Sequence, residues 1–208
     1  MSSLLNCYIP VFRMGVKFSI ASEDFPHCDD FRKECITLLD KALLQSELLY
    51  RPEDSSEAHF AVVVWLDELV LRTSPTWVKE WRLSLLQSQR FRTAIGGEEF
   101  YARLDGIDTS NKDLRQVYLF CLLMGFQGKY AHKGNAELQA RISEERKCLP
   151  EEWQTWPGEA RIMAKDVESK PAQAFQWLRI LHKKASLFFF VTLMYLMTVS
   201  GLHLLIRN

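Results

Sequence analysis

The chain has 208 residues, with 26 basic and 26 acidic side chains, a formal net charge of zero and 48% hydrophobic residues. That length suffices for one domain with a real core, or for one domain plus an appendage, and the charge balance argues against a general nucleic-acid binder. The five cysteines are odd in number, widely spaced and without a CxxC pair, which argues against a disulfide framework and points to a reducing compartment.

The elements read as helices in chain order, because helical apolar periods are frequent and no alternating run ends in an Asn-Gly or Asp-Gly turn. A first helix is predicted from Leu4 to Ile20, with Pro10 kinking it or marking its start. A second runs from Asp29 to Leu49, with Phe31, Cys35, Leu38, Leu39 and Ala42 on one face. After the turn Arg51–Ser56, where Asp54 and Glu57 have capping-box spacing, a third helix holds "AVVVWLDELVLR", Ala61 to Arg72. A fourth is predicted from Trp77 to Gln89. Gly96-Gly97 is read as a break, followed by a short helix from Glu98 to Asp105. Ser110 or Asn111 should cap an apolar helix from Asp113 to Phe126, ended by Gly125 in the manner of a C-cap glycine. "QGKYAHKG" then reads as a polar loop, Asn135 to Lys147 as a helix, and Pro150 to Pro157 as irregular. Ser143 to Lys184 is the most polar stretch. Gln173 to Lys184 leads into a long apolar run.

That run, "ASLFFFVTLMYLMTVSGLHLLI" from Ala185 to Ile206, carries no formal charge. As a helix it would span about 33 Å at about 1.5 Å per residue, enough for a hydrocarbon core of about 30 Å. Arg179, Lys183 and Lys184 precede it, so the positive-inside rule places residues 1–184 in the cytoplasm and the C-terminus on the far side. Arg13 and Lys17 interrupt the apolar start of the chain, so no signal peptide is expected. Thr198 and Gly201 make a small-residue face through which two spans could pair.

No enzyme motif is complete. "GFQGKY" lacks the first glycine and the Ser or Thr of a phosphate loop, and "IGGEEF" lacks the third glycine of a dinucleotide site. His27-Cys28 has no second ligand pair, so neither a metal nor a cofactor is expected. Asp67 and Glu68 are the candidate functional residues. Neighbours on a helix diverge by about 100°, so the two carboxylates cannot converge on one substrate atom. Glu68 can pair with Arg72 four residues on. Asp67 has no partner within its helix. It either accepts hydrogen bonds from a neighbouring helix end or lines a groove open to a partner. In the second case, amide substitution of the pair would cost little stability. Lys129 and Tyr130, in the loop, have the chemistry of a partner surface or of a solvated turn.

Three segments together carry a family resemblance. "HFAVVVWLDELVLRTSPTWVKEW" contains Trp65, Asp67, Glu68, Trp77 and Trp81. "RFRTAIGGEEFYARLD" contains Gly96, Gly97 and Phe100. "VYLFCLLMGFQGKYAHKGNAELQARI" contains Gly125, Phe126, Gly128, Lys129 and Tyr130. These resemble the DotU/TssL (IcmH/ImpK-like) family over about residues 4–206. Ala131-His132 departs from the family, which usually has Arg there.

The resemblance implies a type VI secretion inner-membrane component, or its type IVB counterpart. The implied fold is all-α: a cytoplasmic domain of two small helix bundles (1–148), a polar linker and juxtamembrane helix (149–184), and a single transmembrane anchor (185–206). The implied partners are an IcmF/TssM-like inner-membrane protein, an outer-membrane lipoprotein reached through it, and the cytoplasmic baseplate. The Asp-Glu pair is implied to face a groove. The peptidoglycan-binding extension of some members is not expected, since the sequence stops at Asn208. A tail-anchored regulator that takes a partner helix in a groove is the alternative from the residues alone, and a membrane-tethered enzyme using the acid pair is the third reading.

Overall fold

The structure, a computed structural model, describes residues 3–154. The juxtamembrane helix and anchor expected over 173–206, and most of the expected linker, lie outside the described residues. Among the described residues there are only helices and turns, with no strand, and no helix is long and apolar enough to cross a membrane.

Helix α1 is Leu4–Ile20, as its apolar period predicts. Pro10 lies inside it but on the exposed face, where water can take up the Asn6 carbonyl that the proline ring leaves unbonded. Helix α2, Cys28–Glu47, buries Phe31, Cys35, Leu39 and Ala42 along one stripe. Helix α3, Pro52–Thr73, begins earlier than the capping-box spacing suggests. Pro52 occupies the first helical position, where a missing N–H costs nothing, and Arg51 is the N-cap. Asp54 is therefore already inside the first turn. It binds the Arg51 guanidinium at 2.8 and 3.0 Å and accepts from Asn111 Nδ2 at 2.7 Å, while Glu57 accepts from Arg103 at 2.9 Å.

Every residue of α3 from Ala58 to Asp67 is buried. A helix apolar around its circumference belongs at the centre of a bundle, and α3 does so. It packs on α1, α2, α5 (Leu86–Phe91), α6 (Gly96–Gly106) and α7 (Lys112–Leu123). Helix α4 (Val78–Leu83) joins the α2–α3 side, and α8 (Asn135–Lys147) packs on α7, followed by the short α9 (Glu151–Gln154). The helices thus gather around α3, and α1 packs on α7 as well as on α2. All five cysteines are free thiols, four of them buried.

Asn111 caps α7, its Oδ1 accepting from Leu114 N at 3.2 Å. The apolar run of α7 contains one arginine, and it is buried. Arg115 donates to Glu145 of α8 at 2.5 Å and to the Ile107 carbonyl at 2.8 Å. Arg141 adds a second cation, 2.8 Å from Glu145 and 2.5 Å from Asp105. This chain of charges holds α8 to α6 and α7. Sequence periodicity does not show it.

A second polar link joins α2, α3 and α5. His59 is 3% exposed, between the rings of Tyr8 and Phe91. Its Nε2 lies 3.2 Å from Arg90 Nη1, and Arg90 pairs with Asp40 at 2.7 Å. A guanidinium only donates, so Nε2 accepts and the ring is neutral. Burial, then the Arg90 charge, pulls the His59 pKa down to about 4.

Two outcomes follow from these buried groups. Glu145→Ala strands Arg115 in the interior, and chemical denaturation should show a loss of about 3–5 kcal/mol. For His59, the unfolded ring takes up a proton near 6.5 and the folded ring only near 4, so its contribution to stability falls as pH falls through that window. Asp67 acts in the opposite sense, its carboxyl raised to about 6, so the comparison must isolate the histidine. Between pH 6.5 and pH 4, wild type should lose up to about 3 kcal/mol relative to His59→Gln, measured by urea unfolding across the range.

Candidate functional site

The acid pair of α3 reaches in two directions, as the helical angle requires, and each carboxylate binds a different piece of backbone. Asp67 is 1% exposed. Its Oδ1 accepts from Trp81 Nε1 at 2.9 Å and from Leu86 N at 3.1 Å, and its Oδ2 accepts from Gln87 N at 2.8 Å. Leu86 and Gln87 are the first two residues of α5. The stretch expected as one helix from Trp77 to Gln89 is accordingly two, α4 and α5, broken at Ser84–Leu85. The carboxylate of a third helix takes the N–H groups at the break and caps the second half. Burial raises the Asp67 pKa to about 6, with the three donors pulling the other way.

Glu68 faces the other side. It accepts from Gln127 N and Gly128 N, each at 2.8 Å, and pairs with Arg72 at 3.3 Å. Arg72 also donates to the Gly125 carbonyl. Burial raises the Glu68 carboxyl, opposed by the two backbone donors and by Arg72. Glu68 therefore closes the turn that follows α7. That helix stops at Leu123, three residues before the expected end, because Gly125 takes φ +93° and turns the chain back toward α3.

Most of the residues singled out in the sequence meet at this turn. Trp65 Nε1 donates to the Met124 carbonyl at 3.3 Å. Phe100 and Phe126 have ring centroids 4.3 Å apart. Gly97 and Gly128 touch backbone to backbone: a Cβ on Gly97 would lie 3.1 Å from Gly128 Cα, and one on Gly128 would lie 2.6 Å from the Gly97 carbonyl. Gly96 and Gly97 do not break the chain; they form the first turn of α6 and let it approach this closely. A Cβ on Gly96 would lie 1.9 Å from Gln87 Oε1.

Residues 128–130 form a 3-10 turn within the segment expected as loop. Lys129 and Tyr130 are half-buried on it, and Ala131, His132 and Lys133 are exposed. Trp77 and Trp81 stand apart, in an aromatic group with Phe18 and Phe31.

The expectation that both acids line an open groove is corrected for Asp67, which points into the core and has three protein donors. Glu68 sits at the rim of the turn, its side chain 20% exposed. Tyr101 was not singled out, yet its hydroxyl donates to the Gln127 carbonyl at 2.9 Å and its ring packs edge-on against Tyr130 at 4.8 Å. Its place beside Phe100 in "EEFYARL" is the signal that could have found it. Among the described residues, no three His, Cys, Asp or Glu side chains gather as a metal site. One open cleft of about 420 Å³ lies elsewhere, lined by Arg51, Glu53, Asp54, Arg103 and Asp108 among others.

In this all-helical domain the two acids serve as structural braces for two backbone turns. The comparisons supply the family. The family described as type VI secretion system protein DotU matches residues 3–205, and the chain belongs to it. It is thereby a component of the type VI secretion membrane complex. The fold is similar to the cytoplasmic domain of TssL from Acinetobacter baumannii, at 23% identity and TM-score 0.60, covering 70% of this chain and 97% of that one. It is also similar to SciP/TssL from enteroaggregative Escherichia coli 042, at 19% identity and TM-score 0.56, covering 72% and 89%. No curated protein sequence matches the chain.

The geometry reverses the expectation that the acid pair tolerates amides. An amide in place of either carboxylate would turn its N–H₂ onto a backbone N–H, leaving buried donors unmatched. Asp67→Asn and Glu68→Gln should each cost about 1–3 kcal/mol, lowering the melting temperature by several degrees in a thermal scan.

Proposed function

We propose that this chain is the inner-membrane subunit that docks the cytoplasmic baseplate of the secretion system and holds an IcmF/TssM-like membrane protein beside it. The outer-membrane lipoprotein is reached through that protein. In this reading, residues 1–148 are the cytoplasmic docking domain, 149–184 connect it to the bilayer and 185–206 anchor it, with the C-terminus in the periplasm. Two copies pair through the anchor. The chain has no catalytic role.

Family membership supports the setting, and the apolar run with its Lys183-Lys184 flank supports the topology. One observation carries the docking surface. The turn at 125–130 is held by α3, α6 and α7 together and still presents Lys129 and Tyr130 at the surface. Asp67 and Glu68 serve docking from behind, by fixing α5 and the turn. A surface fixed in advance loses little entropy when a partner settles on it.

The test is the full chain carrying Tyr130→Ala together with Lys129→Ala. Capture of baseplate components should fall by about tenfold or more, the size of a hot-spot loss. The circular dichroism spectrum should be unchanged. Undiminished capture by a folded variant would remove the turn as the docking surface.

A further inference from the structure

The segment that carries the docking turn is basic in sequence. No acidic residue occurs between Asp113 and Glu137, and Lys129, His132 and Lys133 fall in that interval. Neither Lys129 nor Lys133 makes an ion pair among the described residues. Their ammonium groups stand over aromatic rings: Lys129 Nζ is 4.9 Å from the Tyr101 centroid and 5.6 Å from that of Tyr130, and Lys133 Nζ is 5.7 Å from Tyr130. A ring face steadies an ammonium without neutralising it.

Most of the acids packed near the turn are bound to other groups. Glu68 binds the turn's own N–H groups and Arg72. Glu99 binds Thr93 and Arg103. Asp105 and Glu145 bind Arg141. Glu98 is exposed and reaches neither lysine within ion-pair distance.

We propose that the 127–133 turn binds an acidic segment of a protein partner, with carboxylates at Lys129 and Lys133 and an apolar or aromatic contact on Tyr130. This rests on the docking reading and names the chemistry of what docks. Both lysines lie over a pair of packed rings, Tyr101, held by its hydrogen bond to the Gln127 carbonyl, and Tyr130 edge-on against it, so the two cations are presented from one patch. A partner carboxylate would give each lysine the ion pair that it lacks among the described residues. Such contacts set partner choice and salt dependence more than they set buried area.

The full chain in detergent, with baseplate components as the captured partner and a poly-glutamate peptide as competitor, tests this. Capture should weaken by about tenfold or more between low and high salt, as exposed charge pairs are screened. Lys129→Gln with Lys133→Gln should show a similar loss at low salt, and the double Glu variant a larger one. The double Arg variant should stay close to wild type. Poly-glutamate should compete and poly-lysine should not.

If the Gln and Glu variants capture normally and salt has no effect while Tyr130→Ala abolishes capture, the docking surface stands and the acidic partner is overturned. If Tyr130→Ala also captures normally, the docking reading itself fails. Gln is close in size to Lys, and Lys133 is exposed and Lys129 half-buried, so the Gln variants keep the test decisive should charge reversal disturb the fold.

Discussion

A carboxylate buried in the wall of α3 organises one half of this domain. Taking an ionised Asp into an apolar interior costs several kcal/mol unless donors replace the water it loses. Here Trp81 and the first two N–H groups of α5 supply them. The requirement works in both directions. Asp67 needs α4 and α5 to satisfy its charge, and α5, only six residues long, needs Asp67 to satisfy its N-terminus. Such a short helix has too few internal hydrogen bonds to persist alone. The break between α4 and α5 is where that contact is made, with Trp81 also packed on Phe31 of α2.

Glu68 does for the other half what Asp67 does for the first. It ties the backbone after α7 to α3, with Arg72 closing the same loop through the Gly125 carbonyl. Two adjacent acids on one helix therefore brace two different turns, one on each side. The same angle that prevents them from acting as a catalytic pair lets them act as two separate braces. What reaches the surface is the product of this bracing: a turn whose backbone is held from three helices, with Lys129, Tyr130 and Lys133 outward.

The charge economy of the interior is consistent across the fold. Asp67 and Glu68 are met mainly by backbone donors, Arg115 by Glu145 and a carbonyl, and His59, kept neutral by burial and then by the Arg90 charge, by that arginine. Buried ions that are met by protein groups rather than water fix neighbouring segments in one arrangement, because a shifted helix would leave a charge unmatched. The turn at 127–133 is the contrast. Its two lysines stand over ring faces and make no ion pair among the described residues.

Much of the fold was legible in the sequence because helical periodicity is local. The limits of α1 and α8, the Asn111 cap and the turn at Gly125 depend on residues within a few positions of one another. The segments that resemble the family were likewise legible, since they are strings of residue types, and most of them prove to converge on one turn. The direction in which Asp67 points was not legible. A carboxylate in an apolar helix is compatible with a groove or with a cap, and only the arrival of Leu86 and Gln87, some twenty positions along the chain, selects the cap. The split of α4 from α5, the Arg115–Glu145 pair and the contact of Gly97 with Gly128 have the same origin. Each joins residues far apart in sequence whose meeting depends on how whole helices pack, so the sequence determined which groups needed partners and the tertiary structure decided which partners they found.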